Sequence, residues 1–306
     1  MLKNALGIVL LALCFGSAVH AQEREESMVM SASDSFRKKW NMTFFSIASV
    51  SNMSFGKKNT AARSFGSYNY LGLNHRLNQD EKVSLRVPFL FNSSGQNEYA
   101  DHVQQEVKLH DVHVAYSMYD LGYIGDVDIS GNVKLYLPTS QFSQNQEMIT
   151  KLRLEAYFEY AIGRFSSITW AVKPDIFWQS RTAYLNEDTP VWEDGEFKKD
   201  PRSTNKRYSL EHFVEVVVDI NRYFALKPKI GFDEDWYYSS EAEQLEGNHV
   251  TKLKAGLGFE IRPIRGLTFT VGMQNTTSLN SYRGKDIAYF QPENTEYSLM
   301  TNALVF

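Results

Sequence analysis

From residue 40 to the end of the chain, hydrophobic and polar residues alternate with a period of two, segment after segment. The segments fall near 40–50, 64–75, 82–92, 106–119, 126–138, 148–162, 166–180, 207–220, 225–238, 250–262, 267–279 and 295–306. That period predicts strands with one apolar and one polar face. The links between them alternate as strictly. Those around 51–63, 93–105, 139–147, 181–206, 239–249 and 280–294 are long and polar, whereas 76–81, 120–125, 163–165, 221–224 and 263–266 are short. Six long and five short links in this order predict an all-β fold, a transmembrane antiparallel up-and-down β-barrel of about 12 strands with its long loops outside and its turns in the periplasm. Soluble strands average about 5–6 residues, and a tilted bilayer crossing takes about 9–11, so segment length points the same way.

Several segments show the apolar row without interruption: Val83, Leu85, Val87, Phe89, Phe91; Val127, Ile129, Gly131, Val133, Leu135, Leu137; Leu152, Leu154, Ala156, Phe158, Tyr160, Ile162. It returns in Ile168, Trp170, Val172, Ile176, Trp178, in Val214, Val216, Val218, Ile220, and in Leu253, Ala255, Leu257, Phe259, Ile261. Side chains two apart point to one side of a strand, so these rows face lipid. Pro88, Pro174 and Pro228 lie inside segments and lack the N–H that a ladder needs, which predicts bulges or short interruptions. In the fourth segment the apolar register moves from Val107 and Leu109 to Val112, Val114, Tyr116 and Met118, and a bulge near His110 accounts for the step.

The alternate rows then face the lumen, and they are charged. They comprise Arg86, Asp111, Asp128 and Lys134; Lys151, Arg153, Glu155 and Glu159; Lys173 and Asp175; Glu211, Glu215 and Asp219; Lys227, Lys229, Asp233 and Asp235; Lys252, Lys254, Glu260 and Arg262. With 10 basic and 11 acidic groups, such a lumen is nearly neutral and strongly polar. Antiparallel pairing across the turns sets Arg153 opposite Asp175, Glu155 opposite Lys173 and Asp219 opposite Lys227, and the symmetric register across the long link brings Asp235 toward Lys254. Two functions fit these rows. They line a water-filled passage for small hydrophilic solutes or ions, or they pair into bridges that brace a closed barrel acting through its loops.

Residues 1–21 read as a signal peptide, with Lys3, the apolar run Ala5 to Phe15, and Val19-His20-Ala21 before a cleavage site. Residues 22–39 lack alternation and read as a polar periplasmic extension, leaving 40–306 for the barrel. Cys14 is the only cysteine and lies in the signal, so neither a disulfide framework nor a thiolate metal site is available to the exported chain. Without Lys3 the chain carries 31 basic and 36 acidic residues, which excludes a basic field for nucleic acid. Many of the 37 tyrosines and phenylalanines fall near segment ends, where membrane-interface belts lie.

The chain ends Tyr297-Ser298-Leu299-Met300-Thr301-Asn302-Ala303-Leu304-Val305-Phe306. With its terminal aromatic and the alternate apolar residues Met300, Leu304 and Phe306, this resembles the last strand of Gram-negative outer-membrane barrel proteins; Ser298 and Asn302 depart from the pattern. The resemblance implies a bacterial outer-membrane location among lipid and lipopolysaccharide, and a last strand read by the barrel-assembly machinery.

Chemistry beyond passage has few candidates. His212 lies in the lipid-facing row and Ser180 shares that face, a placement known from outer-membrane lipid hydrolases, but no orienting third group is visible and no catalytic residue is assigned. His102, His110 and His113 are close in sequence, yet His110 and His113 face opposite sides of an unbulged strand, so no metal site is expected. The acidic loop 186–200, with Glu187, Asp188, Glu193, Asp194, Glu196 and Asp200, lacks calcium-loop spacing and reads as a solvated loop or a constriction. No glycine loop for phosphate follows a strand into a helix, and no cofactor is expected.

Overall fold

The structure, a computed structural model, describes residues 39–52, 65–94, 104–185, 191–193, 196–198, 202–239, 249–279 and 289–305. The signal peptide, residues 22–38 of the extension, His102, Glu187, Asp188, Asp194, Asp200 and Phe306 lie outside them.

Twelve staves make the wall. In chain order they are β1 (Trp40–Ser51), β2 (Phe65–Arg76), β3 (Glu81–Ser94), β4 (Gln104–Leu109 continued by His113–Ile124), β5 (Val127–Tyr136) and β6 (Met148–Ala161), then β7 (Ser166–Gln179), β8 (Lys206–Asn221), β9 (Phe224–Tyr237), β10 (His249–Ile264), β11 (Leu267–Ser278) and β12 (Thr295–Leu304). Each pairs antiparallel with the next, and β12 pairs with β1, so the sheet closes and leaves no edge. A closed sheet satisfies every ladder donor and acceptor within the wall, the condition for crossing hydrocarbon.

The short turns follow from their residues. Gly125, Gly163 and Gly266 take the left-handed backbone conformation in the β4–β5, β6–β7 and β10–β11 turns. The other two are held by asparagine: Asn78 Oδ1 accepts from the Asp80 N–H at 2.8 Å, and Asn221 Oδ1 accepts from the Tyr223 and Phe224 N–H groups at 2.8 and 3.1 Å.

The step near His110 is a bulge, as its sequence implies. Between the pairs Arg86↔His113 and Phe89↔Leu109, Val87 and Pro88 of β3 face three residues, His110, Asp111 and Val112. The His110 N–H reaches back to the Pro88 carbonyl at 3.0 Å. Pro174 and Pro228 bring the short interruptions that their missing N–H implies, each on one side of its strand. The ladder skips from Arg153↔Asp175 to Ala156↔Val172 and from Glu215↔Lys229 to Val218↔Leu226 without a change of register, while on the other side Pro174 still pairs with Leu210 and Pro228 with Leu257.

Outside, Leu85, Leu135, Trp170, Ile230 and Val271 are exposed along the middle of the wall. Trp40, Tyr123, Phe165 and Tyr223 ring the short-turn end, and Phe65, Trp178, Tyr208 and Tyr297 ring the other. An apolar band between two aromatic girdles is the surface of a membrane barrel.

Candidate functional site within the barrel

The bulge turns Asp111 inward and buries it, and this fixes one long link. Asp111 accepts from the Ser140 N–H at 3.0 Å and from the Ser143 hydroxyl. Ser140 also caps the short helix α1 (Gln141–Asn145), accepting from the Ser143 N–H at 3.1 Å. The next residues are tied to the neighbouring link: Arg181 pairs with Glu147 at 2.9 Å, and buried Asn205 donates to the carbonyls of Gln146 and Arg181. The segment between β5 and β6 is therefore anchored at the rim above the lumen.

Below it, opposite charges meet along the inner wall from β5 to β10. Glu155 accepts from Lys134 at 2.7 Å, Asn132 at 3.0 Å and the Tyr157 hydroxyl at 2.9 Å. Arg153 donates to Asp175 at 2.8 Å and to Glu211 at 3.3 Å. Glu260 accepts from Lys227 at 2.9 Å and from Arg262 at 2.6 Å, and Arg262 reaches on to Asp219 at 2.9 Å. Glu215 stands 3.7 Å from Lys227, and Glu211 stands 3.8 Å from Lys229. Nearer the long-link end, Lys254 pairs with Asp233, while Asp235 holds Lys206 at 2.7 Å and Lys252 at 4.0 Å.

The expected pairs are met unevenly. Arg153 and Asp175 are register partners and bonded. Glu155 takes Lys134 from the other neighbouring strand rather than Lys173. Asp219 faces Ala225, because an irregularity at Ile220 moves the β8–β9 register, and it finds Arg262 in place of Lys227. Across the long link Asp233, not Asp235, is level with Lys252, and Lys254 meets Asp233. That slip is an even number of residues, so every charge keeps its face.

The wall encloses a cavity of about 620 Å³. Of the residues assigned to the lumen from sequence, Arg86, Asp128, Lys134, Arg153, Glu155, Glu159, Lys173, Glu215, Lys227, Lys229, Glu260 and Arg262 line it. Lys151, Asp175, Glu211, Asp219, Asp233, Asp235, Lys252 and Lys254 do not; most are ion-pair partners set beside the cavity, and Lys151 lies over the Tyr136 ring at 3.8 Å. Lys82 also lines it and escaped the sequence reading, as did His113, stacked on Tyr136 at 4.4 Å.

The larger omission is the wall built by β11, β12, β1 and β2. Its lining residues, including Phe45, Ile47, Tyr68, Tyr70, Gln274, Ser298, Met300 and Asn302, carry no charge. Met300 therefore points into the lumen, and the outward row of β12 is Tyr297 and Leu299. Leu304 lies against the Gly266 turn, to which its N–H donates at 2.7 Å. The reason for the omission is that both rows of β1 are mixed: Phe45 and Ile47 go inward while Ser46, level with Asn69 and Thr301, goes outward.

On the outer face, His212 and Ser180 are not brought together. The Ser180 hydroxyl donates to Glu147 at 2.5 Å, while His212 Nε2 faces Glu234 at 3.6 Å and stacks on Phe232. Glu234 also meets His249 Nε2 at 3.3 Å, and the same nitrogen lies 3.4 Å from the Thr251 hydroxyl. Acid and hydroxyl thus meet His249 through one nitrogen, unlike a triad, in which they fall on different ring nitrogens. His110 accepts from the Asp111 N–H and His113 joins the lumen; among the described residues no three metal-ligating side chains converge.

Neither a protein-family model nor a curated protein matches the chain. Solved structures match it in fold. An outer-membrane channel from Pseudomonas putida F1 aligns with a TM-score of 0.53 at 10% identity, over 90% of this chain and 99% of that one. The NanC porin aligns at 0.44 and 9% identity over 87% and 100% of the two chains, and the KdgM porin, solved with disordered oligogalacturonate, at 0.43 and 9% over 85% and 98%. The first likeness, with the closed twelve-stranded wall, shows the fold of Gram-negative outer-membrane β-barrel proteins.

Proposed function

We propose that this chain is exported with cleavage after Ala21, is assembled into the outer membrane through its last strand, and forms a narrow passive channel for small polar solutes and ions. The observation that carries this reading is the cavity of about 620 Å³ inside a closed barrel, walled from β3 to β10 by charged side chains. Charges along such a wall keep the space hydrated, which passage through hydrocarbon requires, and give it a transverse field that orients polar solutes. The ion pairs are compatible with passage, since they join residues of the same, neighbouring or next-but-one strands along the wall, as Arg153 does with Asp175 and Glu211 and Arg262 with Asp219.

Single-channel recording of the purified protein in a planar bilayer tests the proposal. Steady unitary steps that scale with salt concentration are expected. A folded barrel that inserts and stays electrically silent overturns it and shifts attention to the external loops.

A further inference from the structure

The cavity is two-sided, and this specifies a ligand class more closely than passage alone. On one side its lining from β3 to β10 holds eight basic and five acidic side chains, although the whole chain is acidic overall. Asp175, Glu211 and Asp219 stand off the lining, where they hold Arg153 and Arg262 from the side, so the excess of three basic groups is an excess among the side chains presented to the cavity rather than a net charge of the wall. On the other side the wall from β11 through β2 is neutral and centred on an aromatic shelf. Phe45 stacks on Tyr70 with centroids 4.9 Å apart and planes 17° from parallel, and Tyr68 stands edge-on to both at 6.3–6.4 Å. Ile47 and Met300 extend the shelf.

The two walls meet at Arg86. Its guanidinium lies 5.0 Å from the Tyr70 ring, a cation at the edge of the aromatic surface. Gly72, level with Arg86 in the ladder, leaves room for Thr43: a Cβ there would stand 2.7 Å from the Thr43 hydroxyl, while meeting Tyr70 and Arg86 only at ordinary contact distance.

We propose that the cavity selects small amphiphilic anions, with a carboxylate or similar oxyanion toward the basic wall at Arg86 and a flat apolar body on the Phe45–Tyr70 shelf. The selection rests on the channel reading above for its role in passage. A fully hydrophilic neutral solute satisfies neither wall, and a small hydrophilic anion satisfies one. An aromatic carboxylate satisfies both, because ring burial on an aromatic surface adds to the electrostatic attraction rather than competing with it.

The test uses benzoate, acetate and benzylamine as probes. Reversal potentials in a potassium chloride gradient should show chloride preference, and benzoate should half-block the current at a concentration about tenfold lower than acetate. Benzylamine should block no better than acetate. Phe45→Ser and Tyr70→Ser, prepared separately so that one folding failure leaves the other, should each remove the difference between benzoate and acetate. Arg86→Gln should weaken benzoate block and lower the chloride preference. Calorimetric titration of benzoate into the detergent-solubilised barrel separates the two proposals. Binding by an electrically silent barrel supports the anion site while channel function falls. A conducting barrel in which benzoate and acetate block equally, or which prefers potassium, overturns the anion site while channel function stands.

Discussion

Arg153 shows how a single side chain holds this wall together. It donates to Glu211 and to buried Asp175, whose other described partner is the neutral Ser209 hydroxyl at 3.1 Å, so the charge of Asp175 is balanced chiefly by this guanidinium. Removing one partner of a buried pair leaves an uncompensated charge and costs about 3–5 kcal/mol, whereas replacing both partners by apolar groups is often neutral. Arg153→Met should therefore lower stability by about that amount in urea unfolding from lipid vesicles, and Arg153→Met with Asp175→Leu should recover most of the loss. Equal loss in the single and double variants would mean that packing, not charge, dominates there. The pair was legible because a three-residue turn leaves little freedom in register. Asp219 was not, because an irregularity at Ile220, invisible in the residue types, decides what it faces.

At the scale of elements, the bulge in β4 is the feature that shapes the rim. One extra residue opposite Pro88 turns Asp111 inward, and Asp111 then captures the N-terminus of α1. Asp111→Ala should release residues 138–147 without unfolding the barrel. Limited proteolysis of intact vesicles should then cut this segment early in the variant and late in the parent protein. Unchanged cleavage would assign the anchoring to Glu147, Arg181 and Asn205 instead. The bulge could be read from the change of apolar register on either side of His110. The docking of α1 could not, because it depends on where that bulge aims a carboxylate in space, and the acidic loop 186–200 offered the more obvious constriction.

For the whole molecule the prediction concerns closure. With β12 hydrogen-bonded to β1, every stave has two neighbours, and opening the wall requires breaking a complete strand interface in one step. The protein should migrate as a compact form in unheated SDS and shift to its full-length position only after boiling; a single position under both conditions would count against a closed barrel. The sequence by itself determined the number and order of the strands and the outward face of most of them, because side-chain period is a local property that lipid on one side and water on the other make unambiguous; their ends were less legible, and β4 runs to Ile124 through most of the link expected at 120–125. Only the tertiary structure decided which charges pair, which of them reach the cavity, and that β11, β12, β1 and β2 form an uncharged aromatic wall. In those strands neither row is plainly apolar, so alternation carries no direction. Pairing with both neighbours supplies it, since Phe45 is level with Tyr70 and Asn302 and Ile47 with Tyr68 and Met300, and all of these line the cavity.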